Sequence, residues 1–222
     1  MMNRAYKFRI YPTDAQEILL SKTFGCCRFI YNRMLDDKIC EYRETGKMKR
    51  TTPAMYKKEF PWLKEVDSLA LANVQLHLES AYKKFFREPK TGFPKFKSKH
   101  KSRQSYTTNV VKGNIRLFEN RLKLPKLGEV RIKVHREINE GFRLKSVTIS
   151  RESTGKYFAS LLYESTECES QAVCKKTEDM KILGIDYAMD GMAVFSDERK
   201  CENPKFFRES EEKLAKEQRK LS

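Results

Sequence analysis

The chain has 222 residues, of which 39% are hydrophobic and 11% aromatic, so it can form a sizeable folded core. Its 46 lysines and arginines against 30 acidic residues give a net charge of +16, distributed as +17 on residues 1–178 and −1 on residues 179–222, and this excess predicts a polyanionic partner. No run of 18 apolar residues and no apolar signal region occurs, so the sequence predicts a soluble, unexported protein without a membrane span.

The N-terminal residues predict one strand and then a helix. Residues 5–11 alternate between apolar and basic side chains, and Pro12 ends that strand. Thr13 and Gln16 have the spacing of a capping box, which opens a helix that ends near Gly46. The apolar residues that this pattern turns toward a core are Tyr6, Phe8 and Ile10 on the strand, and Leu19, Leu20, Phe24, Ile30, Met34 and Leu35 on the helix.

A possible break at Gly25 would divide this first helix. Residues 53–60 predict a short helix, and Asp67 or Ser68 caps a longer one. In that longer helix apolar residues recur every three or four positions, at Leu71, Val74, Leu78, Ala81 or Tyr82, and Phe85. The first hundred residues therefore predict a mainly helical region.

Residues 83–103 contain nine basic residues and one acid. One interpretation is a solvated basic loop, and the other is a nucleic-acid contact in which aromatic rings stack on bases while cations bind phosphates. An acidic membrane surface is disfavoured, because the cations of the chain do not lie along one amphipathic helix. The candidate binding residues are Lys83, Lys84, Arg87, Phe93, Lys95, Phe96, Lys97, Lys99, Lys101 and Arg103.

From residue 104 the pattern changes to short alternating segments separated by glycine and asparagine turns. The predicted strands are 105–111, 114–118, 121–124, 129–135, 144–150 and 157–163. Such spacing favours hairpins and a small antiparallel barrel. Residues 166–177 are polar and predict a linker.

Asp186 interrupts an apolar strand pattern within residues 181–197. Alternation places it on the same face as Ile182, where an ionised carboxylate costs several kcal/mol unless cations or donors satisfy it. It could cap a turn at a strand end. It could also be the first Mg²⁺ ligand of an RNase H-like nuclease, since Asp190 and Gly191 predict a hairpin turn before a returning strand over residues 192–196.

The six cysteines include no Cys-x-x-Cys pair, so neither a zinc knuckle nor a thioredoxin motif is predicted. Without a secretory signal they are expected to be reduced and buried. They are Cys26, Cys27, Cys40, Cys168, Cys174 and Cys201.

Eight stretches, in order along nearly the whole chain, resemble the TnpB (OrfB) proteins of bacterial insertion sequences, which are RNA-guided endonucleases related to single-effector CRISPR nucleases. These stretches are YKFRIYPT at 6–13, TFGCCRFIYN at 23–32, FPWLKEVDSLAL at 60–71, GFPKFKSK at 92–99, RQSYTT at 103–108, LPKLGEVRIKVHR at 124–136, ISRESTGKYFASLL at 149–162 and GIDYAMDGMAVFSD at 184–197.

The resemblance implies an α+β protein in which a small antiparallel β-barrel, the wedge domain, is interrupted by a helix-turn-helix-like recognition insertion. The expected parts are the first wedge strand at 1–11, the helical insertion with its basic loop at 12–103, the rest of the wedge at 104–165, a linker at 166–179, and the first hairpin and helix of a RuvC-like nuclease domain at 180–222. The implied partners are guide RNA and double-stranded DNA, in a bacterial cytoplasmic, nucleoid-associated location.

By the same resemblance Asp186 looks like the first catalytic acid and a Mg²⁺ ligand. The further catalytic acids and the four-cysteine zinc insert of the family have no counterpart in these 222 residues, so no zinc is expected. Two classes of function stay open. One is a truncated transposon nuclease that is inactive alone, and the other is a nuclease-deficient nucleic-acid-binding protein or repressor.

Overall fold

The computed structural model describes residues 2–48, 50–138, 141–165, 183–187 and 191–221. The chain divides into two compact units, residues 1–168 and residues 169–222. Residues 166–182, which include the predicted linker, Cys168, Cys174 and Ile182, lie outside the described residues, as does Asp190. No helix of the described residues combines the length and the apolar character that crossing a membrane requires.

The first unit combines helices with one seven-stranded antiparallel sheet, as an α+β fold requires. Its helices are α1 (Asp14–Thr45), α2 (Pro53–Glu59) and α3 (Ser68–Arg87), with a 3-10 turn at Pro61–Lys64. Its strands are β1 (Met2–Tyr11), β2 (Gln104–Asn109), β3 (Arg116–Phe118), β4 (Arg121–Leu124), β5 (Gly128–Lys133), β6 (Phe142–Arg151) and β7 (Tyr157–Ser165).

The strand order of this sheet is β2-β6-β7-β1-β5-β4-β3. The N-terminal strand β1 therefore lies in the middle, between β7 and β5, and joins strands that follow it by more than a hundred residues. Within the described residues β2 and β3 are the two edges, so the hydrogen bonds define a sheet, and its closure into a wedge barrel stays a prediction.

Helix α1 begins as predicted, with the complete capping box of Thr13 and Gln16, and ends at Gly46 in the left-handed conformation that glycine adopts most easily. The predicted break at Gly25 is wrong, because the helix is continuous through it. Its neighbours Phe24 and Cys26 are both buried, and their packing outweighs the roughly 1 kcal/mol by which glycine disfavours a helix interior.

The core is formed by α1, α3 and the sheet, and α1 and α3 pack against each other and against β2. Asp67 caps α3, since its Oδ1 accepts a hydrogen bond from Leu69 N at 3.0 Å. Its Oδ2 accepts a second one from Thr108 Oγ1 on β2, and both residues are buried. One carboxylate therefore ends a helix and joins it to the sheet.

The predicted burial of the cysteines is correct for Cys26 and Cys27 and wrong for Cys40 and Cys201, which are exposed. Burial raises the pKa of the Cys26 thiol, and it raises that of Cys27 to about 12. Cys40 differs because it lies near the end of α1, away from the buried stripe of that helix.

The described residues of the second unit form a three-stranded antiparallel sheet and one helix. The strands are β8 (Ile185–Asp186), β9 (Ala193–Phe195) and β10 (Lys200–Cys201) in the order β10-β9-β8, and the helix is α4 (Phe206–Leu221). The two predicted strands of the hairpin are paired, with Ile185 opposite Phe195 and Asp186 opposite Val194, and the predicted turn at Asp190 lies outside the described residues. Strand β10 was not predicted.

Candidate nucleic-acid interface

The basic segment between α3 and β2 is ordered. We call residues 88–103 the strap. At its start Thr91 N donates to Glu88 O at 2.9 Å, and the Thr91 hydroxyl donates to Glu88 Oε2 at 3.0 Å. Near its end Ser98 N donates to Ser102 Oγ at 3.0 Å, and this turn presents the lysines between them. Two turns therefore fix parts of the backbone of this segment, and both interpretations, a solvated basic loop and a nucleic-acid contact, stay predictions.

The two predicted stacking residues, Phe93 and Phe96, have different environments. The ring of Phe93 packs edge-on against Tyr82 and Phe85 of α3, with centroid distances of 5.6 and 5.3 Å. Phe96 is 55% exposed and has no ring partner within the described part of the chain. Phe93 is also 43% exposed, so the two rings differ mainly in that Phe93 packs on α3 and Phe96 packs on no other ring.

Lys97 also differs from the other predicted cations. Its Nζ lies 4.1 Å from the centroid of the Tyr31 ring on α1, and burial lowers its pKa. Arg87 is exposed but paired with Glu88 at 2.9 Å. The remaining predicted cations are exposed and have no acidic partner within 4.0 Å in the described part of the chain, namely Lys83, Lys84, Lys95, Lys99, Lys101 and Arg103.

The end of the strap forms an open groove of about 600 Å³ with the turn between β6 and β7. Lys99, Lys101 and Arg103 line it together with Arg151. The acid of this groove, Glu152, is paired with Lys7 Nζ at 2.7 Å, so the groove keeps a positive charge. We call this site the strap groove.

Arg151 was not among the residues predicted from the sequence. It reaches the strap groove because Gln104 pairs with Arg151 in the β2–β6 ladder, which places the end of the strap beside the β6–β7 turn. The sequence signal for Arg151 was its position between a predicted strand and the Gly155 turn. Only the pairing of β2 with β6 shows that this position lies beside the end of the strap.

A second basic surface covers the outer face of the sheet. Arg9 on β1 lies opposite Lys133 on β5, which is an unfavourable cross-strand pair of like charges. The Tyr11 ring is approached by two guanidinium groups, Arg9 at 4.9 Å and Arg131 at 5.7 Å from its centroid. Further exposed cations of the same face are Arg116, Arg121 and Lys123.

The first unit also has a small cavity between α1, α3, the strap and β2. Arg28, Asn73, His77 and Lys97 contribute its polar lining. Its volume is about 30 Å³, which holds water but no ligand.

Asp186 is exposed on the short strand β8, so the predicted desolvation cost of its carboxylate does not arise. Among the described residues no group of three His, Cys, Asp or Glu side chains could hold a metal ion. The nearby acid Asp197 is paired with Arg199 at 2.6 Å. The described residues by themselves do not fit a Mg²⁺ centre, and the role of Asp186 as a ligand stays a prediction.

Comparison with known proteins gives one family-model match and several relatives. The model of the helix-turn-helix domain of IS605-type OrfB proteins matches residues 1–47. In this structure residues 2–47 form β1 and the continuous helix α1, so the described part of that match contains one helix and no turn between two.

A putative RNA-guided DNA endonuclease of Streptomyces pristinaespiralis is 34% identical over 231 residues, which cover 100% of this chain and 55% of the relative. The putative RNA-guided DNA endonuclease InsQ of Escherichia coli (strain K12) is 31% identical over 235 residues, which cover 99% of this chain and 54% of InsQ. The chain thus spans about half the length of these two relatives. A cryo-EM structure of a Cas12f1–sgRNA–target DNA complex has 12% identity and a TM-score of 0.38 over 100% of this chain and 62% of that one, too low to support a conclusion.

The virulence protein VsdF of Salmonella dublin is 36% identical over 114 residues, which cover 45% of this chain and 96% of VsdF. The OrfB model match and the two full-chain similarities to RNA-guided DNA endonucleases agree with the stretches identified in the sequence. The chain belongs to the TnpB (OrfB) family of insertion-sequence proteins.

Proposed function

We propose that this chain binds guide RNA and double-stranded DNA through the strap and the strap groove, as the nucleic-acid-binding part of an RNA-guided DNA endonuclease. The observation that carries the proposal is the strap groove, where Lys99, Lys101, Arg103 and Arg151 line one open site whose single acid is already paired. Unpaired cations in an open groove bind phosphates and release counterions. The names of the two endonuclease relatives support RNA and DNA as the partners, and DNA binding implies a nucleoid-associated location in the cytoplasm.

We further propose that these 222 residues bind nucleic acid without cutting it. Family resemblance gives Asp186 the role of first Mg²⁺ ligand, but Mg²⁺ is held for phosphodiester cleavage by several shared carboxylates. The described residues bring no such group together. Cleavage then requires carboxylates from elsewhere, and without them the chain acts as a nuclease-deficient binding protein or repressor.

Binding is tested by gel shift with an RNA hairpin and a DNA duplex. The triple variant Lys95→Gln, Lys99→Gln, Lys101→Gln removes three exposed strap cations. The matched triple variant Lys200→Gln, Lys213→Gln, Lys216→Gln removes the same charge from the second unit. We expect the strap variant to lose most of its affinity and the matched variant to keep it. Equal loss in both would reduce the proposal to non-specific attraction by net charge.

Cleavage is tested by incubating the purified chain with labelled duplex, RNA and Mg²⁺ or Mn²⁺. We expect intact duplex from the wild type and from Asp186→Ala. Metal-dependent nicking that is lost in Asp186→Ala would overturn the binding-only part of the proposal and show that a complete site forms.

A further inference from the structure

The middle of the strap is fixed to helix α1 by one side chain. The Asn32 amide group donates from Nδ2 to Lys97 O at 2.9 Å and accepts from Lys97 N at 2.8 Å through Oδ1. Both backbone polar groups of Lys97 are thereby satisfied in a two-bond arrangement like that of a strand pair. An aspartate or a leucine at position 32 could not make both bonds.

The Lys97 side chain extends this attachment. Its ammonium lies over the ring of Tyr31, the neighbour of Asn32, and Tyr31 is buried. A cation–π contact is stronger at a partly buried site than at an exposed one, because desolvation strengthens the attraction between the cation and the ring. Lys97 is therefore held by its backbone and its side chain together, and its ammonium is not available to a phosphate in the way that the exposed strap lysines are.

The attachment is placed where it controls the strap groove. Lys97 directly precedes the turn formed by Ser98 and Ser102, which presents Lys99 and Lys101. Upstream, the nearest anchors are the buried Pro94 and the packing of Phe93 on α3. Without Asn32, the segment from Phe93 to the start of β2 would lose its central fixed point.

We propose that Asn32 is a positioning residue, which holds the strap in the conformation that binds nucleic acid and contacts no ligand itself. This inference rests on the proposed function. If the competent conformation is populated only part of the time, the apparent dissociation constant rises by the inverse of that fraction. A strap that is correctly placed about one tenth of the time binds about tenfold more weakly.

The test variant is Asn32→Ala, and the chain offers a matched control in Asn114. The Asn114 amide accepts from Val111 N at 2.7 Å and donates to Asn109 O at 3.2 Å, so it makes the same pair of bonds in the turn between β2 and β3. Asn114→Ala removes an equivalent amide away from the strap. A loss of two hydrogen bonds is thus common to both variants, and only one of them releases the strap.

Three measurements are made on each full-length variant: the dissociation constant for an RNA hairpin and a DNA duplex, the rate of tryptic cleavage within residues 88–103, and the melting temperature. For Asn32→Ala we expect about tenfold weaker binding and faster cleavage of the strap, with a melting temperature close to that of Asn114→Ala. Asn114→Ala should bind and resist trypsin in the strap as the wild type does.

Asn32→Asp is the conservative variant, because its carboxylate still accepts from Lys97 N but cannot donate to Lys97 O. Its affinity and cleavage rate should fall between those of the wild type and Asn32→Ala, and it replaces Asn32→Ala in the test if the latter does not fold. If the wild type binds and the Asn32 variants bind equally well, the positioning role is wrong while the proposed function stands. If the wild type itself does not bind, both fail.

Discussion

The two units of this chain use similar residues in opposite ways. The first unit buries an apolar core formed by α1, α3 and the sheet, and many cations of its surface have no acidic partner. None of the described residues of the second unit is buried, and its charges include close pairs such as Asp197 with Arg199 and Lys220 with Glu217. The apolar core and the excess of positive charge therefore both belong to the first unit, whereas the second unit balances its cations with acids and carries Asp186. The proposed binding can thus be tested separately from Asp186.

The largest expected difference between the units concerns two leucines, one buried in the first unit and one exposed in the second. Leu78 of α3 is fully buried, whereas Leu214 of α4 is 59% exposed. Leu78→Ala should lower the free energy of unfolding by about 2–5 kcal/mol, because it removes buried methyl groups and leaves a cavity. Leu214→Ala should change it by less than about 0.5 kcal/mol. Urea denaturation measures both, and equal effects would contradict the contrast in burial.

The next difference concerns two aspartates. Asp67 is buried and accepts hydrogen bonds from Leu69 N and the Thr108 hydroxyl, so Asp67→Ala should cost about 1–3 kcal/mol through the lost cap and the unpaired Thr108. Asp186 is exposed, so Asp186→Ala should leave stability within about 0.5 kcal/mol of the wild type. A large stabilisation by Asp186→Ala would show that its carboxylate is buried after all. Thermal denaturation distinguishes these results.

Within the first unit, the two phenylalanines of the strap should separate folding from binding. Phe96→Ala should weaken nucleic-acid binding by about 1–3 kcal/mol if the exposed ring stacks on a base, with no change in melting temperature. Phe93→Ala should lower the melting temperature by a small amount, because its ring packs on Tyr82 and Phe85 while 43% of the residue stays exposed. Gel shift and thermal denaturation of each single variant give the answer, and identical behaviour of the two would refute the distinction.

The smallest expected effect concerns the outer face of the sheet. Lys133→Glu places an acid opposite Arg9 and relieves the repulsion between like charges, so it should raise the free energy of unfolding by about 0.2–1 kcal/mol. In the second unit Lys220→Glu should have the opposite sign, because Lys220 is paired with Glu217 at 2.7 Å, although an exposed pair contributes at most about 1 kcal/mol. If both changes stabilise the protein, its net charge, and not these individual pairs, determines the change in the free energy of unfolding.

The sequence was sufficient for elements that depend on local pattern. The capping box at Thr13, the end of α1 at Gly46 and the core face of β1 follow from short-range rules, and the structure confirms each of them. Gly25 was misjudged because the packing of its neighbours outweighs its local preference. The family was also identifiable from the sequence, since its stretches are spread in order along the chain.

The site was less predictable, because it depends on contacts between distant segments. Composition could not distinguish Lys97 from the other strap lysines, since only the contact with Tyr31 and Asn32 removes it from the exposed set. Arg151 joins the strap groove through strand pairing that no local pattern gives. The exposure of Asp186 was missed because alternation predicts which face a residue shares, but not whether another layer covers that face.

The central claim is that exposed cations of the strap bind phosphates, and the salt dependence of duplex binding tests it most directly. Each phosphate neutralised contributes about 0.9 to the slope of log affinity against log salt on B-DNA. The strap triple variant at Lys95, Lys99 and Lys101 should therefore make this negative slope shallower than that of the wild type, by up to about 2.7. The matched variant at Lys200, Lys213 and Lys216 should leave it unchanged. A wild-type affinity that does not change with salt, or the same slope for the wild type and the strap variant, would contradict the account.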